Sequence, residues 1–287
     1  MDVLKSIFNT PHPIIGVVHL LPLPGSPRWG GSLEPVIAQA EQEATALAAG
    51  GVHGMIVENY HDAPFSKQQV DPAVVSAMSV VVQRLKNLVA LPIGINVLRN
   101  DGHSALAIAA CVGAQFIRVN VLSGSMVTDQ GTIEGDAYHL LRYRRALGVD
   151  VKIFADVLVK HARPLGSPHL RDIVADTIER SLADAIILSG WATGQPPLLE
   201  DLEIARSASP HTPLLIGSGA TQENIGTLMQ WADGVIVASS LKRPSRNLIS
   251  GGESFQVIDP IRVRHFVDSM HRHSQARPLP PPVLASN

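Results

Sequence analysis

A single cysteine, Cys111, stands among 287 residues, so no disulfide can close within the chain and a reducing compartment is the expected setting. HExxH and paired CxxC motifs are missing, so no tightly spaced metal site is expected. No stretch of about 18 apolar residues runs free of charge, so any membrane contact is expected to be peripheral. The opening MDVLKSIFNTPHP has no long apolar region before a small-residue cleavage site, and no secretory signal is expected. Excess positive charge is absent too. Against 25 Asp and Glu stand 23 Lys and Arg, a net charge of -2 that argues against general nucleic-acid binding. Arg142, Arg144 and Arg145 form a local basic cluster, read as a solvated helix face.

What the chain does have is 45% hydrophobic residues in a repeated order. Eight short apolar runs each end on a polar or glycine residue: PIIGVVHL near His19, HGMIVEN near Glu58, PIGINVL with Asn96, FIRVNV with Asn120, VKIFADV with Asp156, AIILSG with Ser189, PLLIGSG with Gly217 and GVIVASS with Ser239. Such β-branched, mostly continuous runs read as strands covered on both faces, the pattern of a parallel sheet alternating with helices. Between them, Asp71-Pro72 starts a helix with Val75, Met78, Val82, Leu85 and Val89 on one stripe. Ser32 caps another that carries Ile37, Ala40, Ala44 and Leu47 and stops at Gly50-Gly51. Further helices are expected over 169–183, 198–208, 221–229 and 260–273.

Eight such units and about 250 residues predict one closed (β/α)8 barrel spanning 1–273, with an open doubly wound sheet as the competing arrangement. The proline-rich stretch 274–287 has too little apolar surface to pack and reads as a mobile tail. The segment SGSMVTDQGTIEGDA after the fourth run is expected to be a long loop, either a lid over the strand ends or a surface excursion.

A barrel gathers chemistry at the C-terminal ends of its strands. There Gly217, Ser218 and Gly219, with Ser239 and Ser240 from the next strand end, are the expected phosphate site. Their glycines let backbone amides approach an anion, and Thr221 begins a helix whose dipole favours one, although a plain tight turn explains the same glycines. His19, Glu58, Asn59, Asn96, Asn120 and Asp156 converge on the same face, with Lys160, His161 and Ser189 nearby. Glu58 and Asp156 are candidates for an acid and base pair, or for holding a divalent cation with His19. His19 lies between Val18 and Leu20 and equally fits a hydrogen-bonded core histidine. Lys160 is a Schiff-base candidate only if it is desolvated.

Several long motifs occur in order along nearly the whole chain: GVVHLLPLPGSPRW, GMIVENYHDAPF, RVNVLSG, FADVLVKHA, LSGWATG and GSGATQENI through DGVIVASSLK. Together they resemble the BtpA family, most closely its cyanobacterial branch over 16–29 and 58–65. That resemblance implies a barrel of the ribulose-phosphate-binding type. For the cyanobacterial branch it implies a peripheral protein on the cytoplasmic side of thylakoids that supports photosystem I. Its implied partners are photosystem I reaction-centre proteins or their assembly intermediates. Homo-oligomerisation is left open, and no catalytic residues are carried over. The alternative expectation is an enzyme acting on a phosphorylated sugar or nucleotide-like metabolite.

Overall fold

The computed structural model describes residues 2–248 and 254–274; the expected tail, from residue 275 on, lies outside them. Each of the eight apolar runs forms a parallel strand: β1 (Ile14–His19), β2 (Gly54–Glu58), β3 (Ile93–Asn96), β4 (Phe116–Val119), β7 (Lys152–Leu158), β9 (Ala185–Leu188), β10 (Leu214–Ile216) and β11 (Gly234–Val237). They close as β1-β2-β3-β4-β7-β9-β10-β11, with Ile14 of β1 paired to Val235 of β11. The sheet is therefore a closed barrel and not an open one.

Helices α2 (Glu34–Gly50), α3 (Pro72–Leu88), α4 (Gly102–Val112), α5 (Ala137–Leu147), α6 (Leu170–Ala175), α7 (Leu199–Ala208), α8 (Ile225–Leu228) and α9 (Pro260–Ser274) alternate with the strands. The Asp71 carboxylate accepts from Ala73 N–H to start α3, whose Val74, Met78, Val81, Val82 and Leu85 are buried against the strands. Full burial of each such side chain is worth about 1.5–3 kcal/mol. Helix α2 ends where Gly51 takes φ 89°, as the Gly50-Gly51 pair suggests. Its start differs: Leu33 occupies the cap position without a side-chain bond, and Ser32 Oγ accepts from Glu34 N–H at 3.2 Å.

Because strand side chains alternate faces, Ile56 and Glu58 of β2 point inward while Met55 and Val57 pack beneath the helices. The barrel floor is apolar: Phe116 stacks on Phe154 with ring centroids 4.6 Å apart. Phe8 of an N-terminal helix, α1 (Val3–Phe8), meets Phe116 edge-on at 5.5 Å. This plug was not legible in the opening residues. One layer higher the inward positions become polar, and the functional mouth begins.

Two expectations are corrected. The segment after β4 is not a loop. It forms a hairpin, β5 (Ser125–Thr128) and β6 (Gly131–Glu134), joined by β8 (Ala162–Pro164) into a three-stranded antiparallel sheet. Val121, Met126, Ile133, Val159 and Ala162 give it a small core, which fixes it beside the mouth. The helix expected over 221–229 is reduced to the single turn of α8. Asn224 Oδ1 accepts from Thr221 N–H, and its Nδ2 donates to the Gly219 carbonyl, closing 219–224 as a loop. Beyond β11, β12 (Lys242–Leu248) and β13 (Ser254–Ile258) form an antiparallel pair.

Candidate functional site

Parallel strands present their carboxyl ends together, and here that end holds a buried electrostatic centre. Arg118, the middle inward position of the fourth run, donates through Nε to Asp156 Oδ2 at 2.8 Å and through Nη2 to Asp156 Oδ1 at 2.9 Å. Its Nη1 reaches Glu58 Oε1 at 3.5 Å. Burial depresses a guanidinium's pKa, but Asp156 and then Glu58 outweigh it here and hold Arg118 above the ordinary value. Asn96 Nδ2 donates to Glu58 Oε1 at 3.0 Å, Asn120 Nδ2 to Asp156 Oδ2 at 3.1 Å, and Ser189 Oγ to Asp156 Oδ1 at 3.4 Å.

Both Asp156 oxygens thus accept hydrogen bonds, from Arg118, Asn120 and Ser189, and the carboxylate holds Arg118 in place. Glu58 keeps Oε2 toward His19 Nε2, 3.7 Å away. His19 stacks on Tyr60 with ring centroids 4.1 Å apart. Burial, then the nearby Lys242, drives its pKa well below the ordinary value, so the imidazole is neutral. Arg118 stands between the two carboxylates expected to share a cation with His19. Among the described residues no three His, Cys, Asp or Glu side chains are grouped to hold a metal ion.

Over this centre lies a mouth in two halves. One, about 290 Å³, sits over β1, β10 and β11; the other, about 330 Å³, sits over β2, β3, β4 and β7. Glu58, Tyr60, Arg118, Lys160 and Thr193 line both, so the halves are continuous. A larger cavity of about 580 Å³ opens beneath the β5–β6 hairpin, beside Asp101 and His139, and shares no lining residue with the mouth.

The first half contains the expected phosphate residues. The Ser218 hydroxyl is spent on the neighbouring loop, accepting from Gly190 N–H at 3.2 Å and donating to the Gln195 carbonyl at 2.8 Å. Ser240 Oγ donates to the Ala220 carbonyl at 2.8 Å. What remains for a ligand is backbone: the N–H groups of Ser218, Gly219 and Ala220 donate no hydrogen bond among the described residues. Ser239 is exposed at the rim.

The glycines have packing reasons as well. A Cβ on Gly217 would lie 2.3 Å from Ser189 Oγ and 2.5 Å from Ile187 Cγ2, so its absence leaves room for the polar layer. Gly219 has φ +72°, and a Cβ there would meet the Pro196 nitrogen at 2.0 Å. Gly219→Ala should therefore destabilise the protein by about 1–3 kcal/mol with no ligand present. Urea unfolding checks this, and an unchanged midpoint would show that 195–196 yields freely. Gly219 substitutions therefore cannot report on ligand contact by themselves.

Three further expected residues separate in role. Asn59, one position past Glu58, faces away from the mouth: its Oδ1 accepts from Leu98 N–H at 2.7 Å and its Nδ2 donates to Asp62 Oδ2 at 3.1 Å. It fastens the β2 and β3 loops. His161 is exposed at the rim, with Nε2 3.1 Å from Thr193 Oγ1. Lys160 lies where the two halves join, and burial, then Arg118, pushes its pKa below the ordinary value. Lys242, just beyond the end of β11, is buried against Glu43 of α2 at 3.5 Å. Burial dominates that pair and moves both partners toward their neutral forms, Glu43 up and Lys242 down.

Sequence reasoning missed Arg118, Glu43 and Arg99. Arg118 was detectable as a charge in the middle of an apolar strand run, two positions before Asn120 and so on the same face. Glu43 sits three residues after Ala40 and four before Leu47, on the apolar stripe of α2. Arg99, in the loop after β3, is 8% exposed and borders the mouth.

Solved structures share this architecture at low identity. N-(5'-phosphoribosyl)anthranilate isomerase from Pyrococcus furiosus superposes with TM-score 0.53 at 14% identity, covering 91% of this chain and all 100% of that one. Tryptophan synthase from M. tuberculosis gives 0.55 at 16%, covering 95% and 98%. These matches establish the fold.

Sequence relatives are much nearer. The photosystem I biogenesis protein BtpA of Synechocystis sp. is 66% identical over 97% of this chain and 94% of its own length. An uncharacterized protein of Thermococcus kodakarensis is 46% identical over 82% of this chain and 88% of its own length. A mitochondrial protein of Caenorhabditis elegans is 33% identical over 92% and 95%. With the BtpA family profile matching residues 10–272, and relatives of this identity aligned along nearly its whole length, the chain belongs to the BtpA family.

Proposed function

We propose that this chain acts in photosystem I biogenesis through a barrel mouth that binds a phosphorylated small molecule. The observation that carries the biogenesis reading is the 66% identity, along 97% of the chain, to the Synechocystis protein of that name. On this reading the protein lies peripherally on the cytoplasmic side of the thylakoid membrane. It supports accumulation of the photosystem I reaction-centre proteins, and these or their assembly intermediates are its partners. Among the described residues no helix is long and apolar enough to cross a membrane, which suits a peripheral position. The phosphate reading draws support from the three backbone N–H groups at 218–220, which donate no hydrogen bond among the described residues, and from Lys160 at the edge of the same half of the mouth.

A second reading is favoured by one arrangement, the neutral His19 beside the free Glu58 oxygen at the cavity wall. It is an enzyme acting on a phosphorylated sugar or nucleotide-like metabolite, with this pair moving a proton. Relatives in an archaeon and a nematode, organisms without a photosystem, fit an older small-molecule activity beneath the photosynthetic role.

Complementation tests the proposal. In a Synechocystis strain lacking its own BtpA protein, this chain should restore the photo-oxidisable reaction centre per chlorophyll to the parental level. A folded, expressed chain that leaves the strain depleted would overturn the biogenesis reading. Glu58→Gln keeps size and hydrogen bonding at the mouth but removes the carboxylate, and it should restore less. Full restoration by that variant would separate biogenesis from the mouth's chemistry.

A further inference from the structure

We infer that the second half of the mouth, over β2, β3, β4 and β7, is an anion site in its own right, so that the ligand is a hydroxylated compound carrying two anionic groups. The inference rests on the phosphate reading of the β10 and β11 loops and extends it to the other end of the ligand. Two observations made away from those loops support it.

The first is Asn120, only 4% exposed. Its Nδ2 donates to Asp156 Oδ2 at 3.1 Å. A carboxylate gripped by a guanidinium can only accept there, which fixes the amide's orientation and turns Oδ1 the other way. That buried Oδ1 has no hydrogen-bond partner, and Asn120 lines the second half of the mouth. Buried polar atoms are satisfied as a rule, by protein, water or ligand. What is missing here is a donor, such as a hydroxyl.

The second is Lys160. Its side chain lines both halves, yet its ammonium makes no ion pair or hydrogen bond among the described residues. Arg99, 8% exposed, borders the same half and donates from Nη2 to the Lys160 carbonyl. Arg118 lies alongside with its charge matched by Asp156. The flanking histidines add no cation: burial, then Lys242, brings His61 down to about 4, and burial, then Arg99, lowers His161. On the acidic side Glu58 lines the half-cavity, and Asp129 acts on Arg99 from the β5–β6 turn. Arg28 lines this half as well, its Nη2 donating to the His61 carbonyl at 3.2 Å, and the balance leaves three cations, Lys160, Arg99 and Arg28, around a cavity next to an acceptor that lacks a donor. A ligand with one phosphate over β10 and β11 reaches Lys160 at most and leaves Arg99 and the Asn120 oxygen unanswered. A second anionic group with a hydroxyl beside it answers them together.

Titration with inorganic phosphate, followed by amide NMR, tests this. The backbone amides of Gly219 and Ala220 report the first half, and the side-chain amide of Asn120 reports the second. Both sets should move along separate saturation curves. In Lys160→Met, which replaces an unpaired half-buried cation by a stem of similar length, the Asn120 response should vanish and the Gly219 response persist. Ser239→Glu, on the exposed rim of the first half, should do the reverse. Gly219 shifts without Asn120 shifts in the unaltered protein would overturn the second site and leave the phosphate reading standing. Silence at both sets would remove the phosphate reading itself. An Asn120 response that survives Lys160→Met would overturn the role given to the lysine.

Discussion

Arg118→Leu should lower the unfolding free energy by about 3–5 kcal/mol, a large share of the stability of a domain this size. The Asp156 side chain has 0% exposure and the Glu58 side chain 8%. Removing the guanidinium leaves two carboxylates buried with amide and hydroxyl donors but no counter-charge. The bidentate geometry makes the single substitution severe. A second change limits the damage: Asp156→Leu in the same chain removes the stranded charge, so the double variant should recover much of the loss. Urea midpoints for the two singles and the double give the coupling directly. A single variant within about 1 kcal/mol of the starting protein, or strictly additive losses, would show that water or relaxation serves the carboxylates without Arg118.

The same triad explains why the fold was easier to read than the site. Strand positions follow from local composition: 54–58 and 185–188 are apolar because both faces are covered, and that demand is written into every residue. Closure follows from the count of units. Which polar groups meet is a different kind of information. Glu58, Arg118 and Asp156 lie on three strands, and their contact depends on stagger between neighbours, such as Arg118 facing Phe154 across β4 and β7. The run FIRVNV reads as apolar, and only Asn120 near its end stood out. The inward parity shared by 118 and 120 carried the rest of the signal.

Asn59 shows the converse. It adjoins Glu58 in sequence, but alternation turns the next side chain outward, where loop hydrogen bonds claim it. The glycine loop follows β10, yet its one serine hydroxyl, that of Ser218, is used by the 190–196 segment. That segment's approach is a long-range event with no local mark. The β5–β6 hairpin was hidden for a related reason, since its small core is completed by Val159 and Ala162 from beyond β7.

Acid should destabilise this protein well before its carboxylates are exhausted, and the mouth histidines are the reason. Burial, then Lys242, lowers the His61 pKa from 6.5 to about 4. His19 is driven well below its ordinary value by burial, Lys242 and His61. A base with a depressed folded pKa stays neutral in the native state while the unfolded chain takes up a proton. Stability is therefore complete above the unfolded value near 6.5 and is lost as pH falls toward the folded value. For His61, whose ring is still partly reached by water, the loss between pH 6.5 and about 4 comes to roughly 2–3 kcal/mol after screening. His19 adds a loss of the same sign. Three carboxyl groups oppose the trend at the acidic end: burial raises Glu43, Asp62 and Asp201, so the native state takes their protons first. The steep limb should accordingly begin below pH 6.5 and flatten lower down. Urea unfolding at stepped pH reads the slope as a difference in bound protons. His61→Gln should reduce that slope by up to about one proton and leave the midpoint at pH 8 nearly unchanged. An unaltered acid limb in this variant would place His61 in contact with water and remove it from the neutral wall of the mouth.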